Sequence, residues 1–151
     1  SGYLVGKFSN LDQMGNPGSH VSLSHSDTDF PLFRLADVHL MLAEASLQEG
    51  DQGTALANLN AIRERAYGNS NHNFSTVTLD DVLEERSKEL YWECTRRTDL
   101  IRFNKFTGSD LVWSFKGGAT DGTAVDDFRS LYPLPTYDIV NNPNLSQNNG
   151  Y

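Results

Sequence analysis

One cysteine, Cys94, stands among 151 residues. A lone thiol excludes an internal disulfide, and it leaves the redox compartment open. Basic residues are scarce as well, with 12 Lys and Arg against 20 Asp and Glu, a net charge of −8. A surface of that sign does not attract nucleic acid or an anionic lipid headgroup. No apolar run approaches the ~20 residues that a membrane-spanning helix needs. No signal-peptide pattern or lipidation motif is visible either. The chain opens at Ser1-Gly2 without an initiator Met, and it is expected to be a piece of a longer protein, so missing targeting signals carry no weight. Apolar residues make up only 38% of the chain, while Gly, Asn and Ser are plentiful, so a single modest core with much loop is expected.

What is present centres on residues 30–67. They predict a helical hairpin, about Leu32 to Tyr67, broken at Gly50-Asp51. Glycine suits the left-handed position that ends a helix, and Asp51 suits the N-cap of the next. The first helix carries two apolar ribbons. One is Leu35, Val38, Leu42 and Ala45; the other is Ala36, Leu40, Ala43 and Leu47. A helix apolar over most of its girth packs on more than one side. The second helix aligns Ala55, Leu59, Ile62 and Ala66. Small Ala43 opposite small Ala55 permits a close antiparallel approach, as in a tetratricopeptide-type hairpin; any helical hairpin of an α protein is the plainer reading. No second copy of the hairpin is visible. The exposed side of a lone repeat then needs cover, either from the helix that follows Thr78 or from protein outside this chain.

A second helix start is signposted at Thr78, with Asp81 at capping-box spacing and Val77 and Val82 placed as a hydrophobic staple. The helix is expected over about residues 79–94, with a shorter one at Arg97–Phe103. Arg86 falls on its apolar face with Leu79, Leu83 and Leu90, which predicts a partly buried ion pair with a Glu of the same helix or from the hairpin. Residues 3–8 and 128–134 read as short strands, residues 104–127 as an irregular loop, and Thr136–Val140 as a short helix. The tail from Asn141 has no apolar period and is expected to be ordered only by docking.

Chemistry-bearing patterns are few. Glu85, Glu89 and Glu93 share a helix face, but a glycosidase needs two carboxyls at least about 5 Å apart across a scissile bond. A salt-bridged helix surface, with Arg86, Lys88, Arg96 and Arg97, is the simpler account of these acids, each exposed pair adding only about 0.3–0.5 kcal/mol. His20 and His25 with Asp27 and Asp29 fit no metal-ligand spacing and read as a solvated loop. His39, amid apolar neighbours, reads as a core histidine. Ser24-His25 is adjacency, not a triad, and Gly117-Gly118 is too little for a phosphate cradle. No metal or other cofactor is expected. Trp113, in a polar loop, is the one candidate ligand-binding residue, since a flat indole suits the C–H face of a pyranose. The competing reading has Trp113 and Phe115 pin the loop onto the core, and Trp92, on the helix, belong to the core.

In their order, these blocks resemble the C-terminal part of the SusD/RagB family of outer-membrane nutrient-binding lipoproteins. RLADVHLMLAEASLQEGDQGTALANLNAIRERA, residues 34–66, is similar to the family's late tetratricopeptide hairpin. LDDVLEERSKELYWECTRRTDLIRF, residues 79–103, resembles the family's Glu- and Arg-rich helix leading into Arg-x-x-Asp-Leu, here Arg96 to Leu100. NKFTG, then Trp113 and KGG, resemble a loop of one branch, and LYPLPTYDIVNNPNLSQNNGY resembles the closing segment. Cys94-Thr95 departs from the pattern, where the family more often has Gly after the Glu.

The resemblance implies a mainly α fold, SusD-like, with a tetratricopeptide-like hairpin, further helices, long irregular loops and a few short strands. The whole chain, 1–151, would be one C-terminal portion of such a domain. It implies non-catalytic capture of a glycan or other oligomeric nutrient at the outer face of the outer membrane. It also implies an N-terminal lipid anchor in the missing part and delivery to a TonB-dependent, SusC-like transporter. The N-terminal remainder of the same protein would hold most ligand contacts. A helical-repeat protein-interaction module without nutrient binding is the alternative.

Overall fold

The computed structural model describes residues 6–12, 14–18 and 27–151. The chain forms two compact units, residues 1–92 and 93–151. Among the described residues there are helices, two 3₁₀ turns and isolated bridges, and no strand. No helix among them is long and apolar enough to cross a membrane.

The first unit is built on the hairpin, α1 (Leu35–Gln48) and α2 (Gln52–Tyr67). Gly50 takes φ +81°, a conformation that costs a glycine little, and Asp51 accepts a hydrogen bond from the Thr54 N–H at 3.0 Å. The Thr54 hydroxyl, then the Thr54 N–H, hold the Asp51 carboxyl below its ordinary value. The cap's contribution is therefore present at neutral pH and fades as the pH falls through that lowered value. Ala43 and Ala55 are both fully buried, as are Leu40 and Leu59, as the close-packed hairpin requires. Ala36 and Ile62 extend this core, whereas Ala66 is exposed. The two ribbons of α1 part company here. Ala36, Leu40 and Ala43 are buried, while Leu35, Val38, Leu42 and Ala45 face outward.

The third helix, α3 (Leu79–Glu89), starts with the complete capping box at Thr78 and Asp81, and Val77 and Val82 are both buried. It ends earlier than the periodicity suggests. Leu90 closes it, and Trp92 and Cys94 take φ of +64° and +61°, a left-handed backbone no α-helix can continue through. Trp92 is accordingly on a turn, 63% exposed, and is no core residue.

The acids of α3 behave differently from the surface ladder expected of them. Glu85 accepts from Arg63 of α2 at 2.6 Å. Glu89 is held from both sides, by Arg34 at 2.6 Å and Arg65 at 2.5 Å. Its backbone carbonyl accepts from Arg34 at 2.6 Å and from Lys7 at 2.8 Å. The Glu85 and Glu89 side chains are only 6% and 9% exposed, so these are sheltered pairs between helices. Arg86 is paired with Asp37 of α1 at 2.9 Å, the expected ion pair with the hairpin, supplied by an Asp. Lys88–Glu84 is an exposed pair along the helix. Leaving one partner of a buried pair alone costs about 3–5 kcal/mol. That is several times the value of an exposed pair. Arg63 also donates to the His72 carbonyl at 2.6 Å and lies 4.2 Å over the Phe74 ring. Asn60 meanwhile exchanges both hydrogen bonds with the Phe74 backbone. The loop after α2 is thereby strapped back along that helix.

The second unit holds α4 (Arg96–Arg102), α5 (Thr136–Asn141) and 3₁₀ turns at Lys116–Gly118 and Asp127–Ser130. Arg97 is its hub. The guanidinium lies 4.7 Å from the Phe106 ring and 4.1 Å from the Tyr132 ring, and donates to the carbonyls of Arg129 and Ser130. A side chain thus satisfies carbonyls that a neighbouring strand would otherwise need to reach. Residues 128–134 form a turn and an extended run, not the expected strand, and side chains of Arg97 and of the tail satisfy their backbone groups. Residues 6–8 form no strand either, and residues 3–5 lie outside the described residues. The tail docks as expected. Gln147 bonds both the N–H and the carbonyl of Leu134, Asn148 donates to Tyr132, and the Tyr151 hydroxyl donates to Leu131. The Tyr151 ring meets Phe128 edge-on at 4.9 Å.

Two expectations follow. Ala43→Trp or Ala55→Trp overpacks the hairpin and should lower stability by about 1–3 kcal/mol in urea unfolding of the intact protein. Unchanged midpoints for both would contradict the close helix contact. Arg97→Lys keeps the charge and loses the planar stacking face. Hydrogen exchange should then accelerate at residues 131–151 while α1 and α2 keep their protection; uniform protection would remove Arg97 from the centre of this unit.

Candidate functional site: an aromatic cleft in the second unit

The loop between α4 and the Asp127–Ser130 turn closes on itself through a bridge from the Gly108 N–H to the Val125 carbonyl, 2.9 Å. The Thr123 N–H donates to the Lys116 carbonyl at 2.9 Å, and the Phe115 N–H to the Thr120 carbonyl at 3.3 Å. Gly122 sits against the Trp113 backbone. A Cβ there would lie 2.1 Å from the Trp113 carbonyl oxygen, so only glycine permits this approach.

The loop inverts the usual placement of its side chains. Lys116 points inward, 4% exposed. Its ammonium donates to the carbonyls of Gly108 and Leu111 and lies 4.9 Å from the centre of the Trp113 ring. Phe115 points outward, 70% exposed, on a backbone at φ +67°. A non-glycine residue in that region costs of the order of 1–3 kcal/mol and persists only where its surroundings hold it. Trp113 is 43% exposed.

Together with Phe106, Asp126 and Arg129 these rings line a cleft of about 670 Å³. The cation–π contact and the two carbonyl acceptors compensate the burial of the lysine ammonium. Asp126 and Arg129 are exposed at the rim, with the Arg129 guanidinium 5.0 Å from the Phe128 ring. Asp126 is the one carboxylate among the lining residues. Flat apolar rings beside one acid and one guanidinium form a surface that stacks and hydrogen-bonds; acid–base hydrolysis of a glycoside takes a pair of carboxyls.

A second, smaller hollow of about 290 Å³ lies on the hairpin beside Arg34, His39 and Arg65. Its polar groups are already engaged. Arg34 and Arg65 hold Glu89, and His39 Nδ1 lies 2.7 Å from the Asn58 amide oxygen. His39 is thus a half-buried, hydrogen-bonded residue of the hairpin.

Of the residues the sequence singles out, Trp113 and Phe115 come together in the cleft. Phe115 is too exposed to pin the loop. Glu85 and Glu89 are turned toward hairpin arginines, and Glu93 lies beyond the end of α3. His20, His25 and Ser24 lie outside the described residues, and among the described residues no three His, Cys, Asp or Glu side chains are grouped to hold a metal ion. Gly117 and Gly118 form part of the turn beneath Phe115. Sequence reasoning missed Phe106, Lys116, Asp126 and Arg129. Their only signal is position, since loop closure at Gly108 and Val125 brings together residues up to 23 apart (106 and 129).

A sequence model of the SusD family matches residues 1–151. The chain is 43% identical over 150 residues to the starch-binding protein SusD of Bacteroides thetaiotaomicron, covering 99% of this chain and 26% of that protein. It is 33% identical to SusD-like protein P25 of Formosa agariphila, covering 97% of this chain and 28% of that one. Among solved structures it resembles a putative sugar binding protein from Bacteroides vulgatus, with TM-score 0.68 and 33% identity over 90% of this chain and 31% of that one. It also resembles surface glycan-binding protein A from Bacteroides uniformis, with TM-score 0.67 and 27% identity over 82% of this chain and 28% of that one. The chain therefore spans between about a quarter and a third of these relatives. The match runs the length of the chain, and the mainly helical architecture agrees with it: the chain belongs to the SusD family.

Proposed function

We propose that the protein carrying this chain captures a glycan or another oligomeric nutrient at the cell surface and makes or breaks no covalent bond in doing so. The observation that carries the reading is 43% identity, across 99% of the chain, to a protein named for starch binding. A similar fold in a surface glycan-binding protein supports it. In this proposal the protein is held on the extracellular face of the outer membrane by an N-terminal lipid and delivers its ligand to a TonB-dependent, SusC-like transporter. This chain supplies scaffold, with Trp113 as its candidate ligand contact. The outward ribbon of Leu35, Val38 and Leu42 suits packing against the N-terminal remainder of the same protein.

Two physical features support binding over catalysis or a nucleic-acid role. The acids of α3, the best carboxylate cluster in the sequence, are neutralised by hairpin arginines. The net charge of −8 repels a polyanion. An interaction module without nutrient binding draws on the same exposed ribbon, and it predicts a protein partner and no affinity for glycans.

The full-length protein should therefore retain neutral polysaccharides in affinity electrophoresis, fractionate with the outer membrane, and release no reducing sugar from them over days. Absence of retention across a broad polysaccharide panel would contradict the reading. Hydrolysis that disappears in Glu89→Gln, with the fold intact, would replace it with an enzyme.

A further inference from the structure

We propose that the cleft beneath Phe115 is a subsite for one pyranose unit of a neutral oligosaccharide, with Trp113 and Phe115 as stacking faces and Asp126 and Arg129 as hydroxyl partners. The proposal rests on the glycan-binding reading above and adds to it a location within this chain.

Three observations converge on the cleft. The backbone at Phe115 is held at φ +67° with its ring 70% exposed, while the neighbouring lysine is buried. Hydrophobicity alone would place these two side chains the other way round. An outlier of this kind, over-determined by its surroundings, is common at ligand clamps. The surroundings here are specific: Lys116 is anchored to Gly108 and Leu111, and Gly122 packs on the Trp113 backbone. The rings are therefore presented on a braced loop, which lowers the ordering cost of binding.

The second observation is chemical. A pyranose offers an apolar C–H face and a rim of hydroxyls that donate and accept. The cleft offers rings for the first, and a carboxylate that accepts and a guanidinium that donates for the second. The third is charge. Asp126 and Arg129 are exposed lining residues of opposite charge, and the Lys116 ammonium is turned inward to carbonyls and the Trp113 ring. Such a site has little pull on a sulfated or carboxylated sugar and suits a neutral one. At about 670 Å³ the cleft is within the usual range for small-ligand sites, roughly 300–1,000 Å³.

The test uses the full-length protein and a panel of neutral oligosaccharides that includes maltoheptaose. Calorimetric titration picks the member that binds best. Phe115→Ala and Arg129→Met should each weaken that affinity at least fivefold, with melting temperatures close to that of the parent. Hydrogen exchange of residues 113–129 should slow when the same oligosaccharide is added. Arg129 is at the rim and outside the strained turn, so its variant stands even where Phe115→Ala fails to fold. Undiminished affinity in Arg129→Met together with unaltered exchange at the cleft would overturn the subsite and leave glycan capture standing elsewhere in the protein. A panel with no binding member would overturn both.

Discussion

The first unit depends on carboxylates from one helix meeting guanidiniums from the other two. Glu85 and Glu89 lie one turn apart on α3 and reach Arg63 and Arg65 of α2, and Arg34 at the entrance to α1. Apolar contacts bring α3 near the hairpin, because Val77, Val82, Leu83 and Leu90 are all buried. Such contacts alone tolerate sliding. A carboxylate in a sheltered position does not, because each slip of one turn would leave a buried charge without its partner. The ion pairs therefore fix the register of α3 on the hairpin more than they add net stability. Arg86 with Asp37 repeats the device on the α1 side.

This constraint bears directly on function. An acid-rich helix invites a catalytic interpretation, yet Glu85 and Glu89 are taken up in ion pairs with Arg63, Arg34 and Arg65. Glu89 is held by Arg34 and Arg65, both of which line the small hollow on the hairpin. The concave surface with exposed aromatic rings lies in the other unit, on a loop organised by an inward lysine and by Arg97 between two rings. Scaffold and candidate site use the same two ingredients, cations and aromatic or carbonyl groups. In the scaffold they are consumed internally, whereas at the cleft rim Asp126 and Arg129 remain at the surface.

Much of the scaffold was legible from local chemistry. Gly50 and Asp51 mark the hairpin turn, Thr78 and Asp81 the start of α3, and alanines at 43 and 55 the close approach, because caps and small-residue contacts depend on residues a few positions apart. What escaped depended on distant partners. Glu85 and Glu89 have the same spacing in an exposed salt-bridge ladder as in a buried clip, and only the position of Arg63 across the fold distinguishes the two. A helix continued to residue 94 would place Trp92 in the core, but two left-handed residues, 92 and 94, stop it first. Where a strand was expected at 128–134, the carbonyls are met by side chains of Arg97, Gln147, Asn148 and Tyr151 instead of a neighbouring strand. In the cleft, Trp113 was visible as an aromatic in a polar loop. Its neighbours Asp126 and Arg129 were not, since the bridge between Gly108 and Val125 that gathers them has no pattern of its own.

The acids of α3 act as structural clips between the helices. A double-mutant cycle on Arg63 and Glu85, read by urea unfolding of the intact protein, tests this role most directly. Glu85→Ala alone should cost about 3–5 kcal/mol, and its coupling to Arg63→Ala should exceed about 1 kcal/mol. A coupling of no more than about 0.5 kcal/mol, as for an exposed pair, would contradict that role.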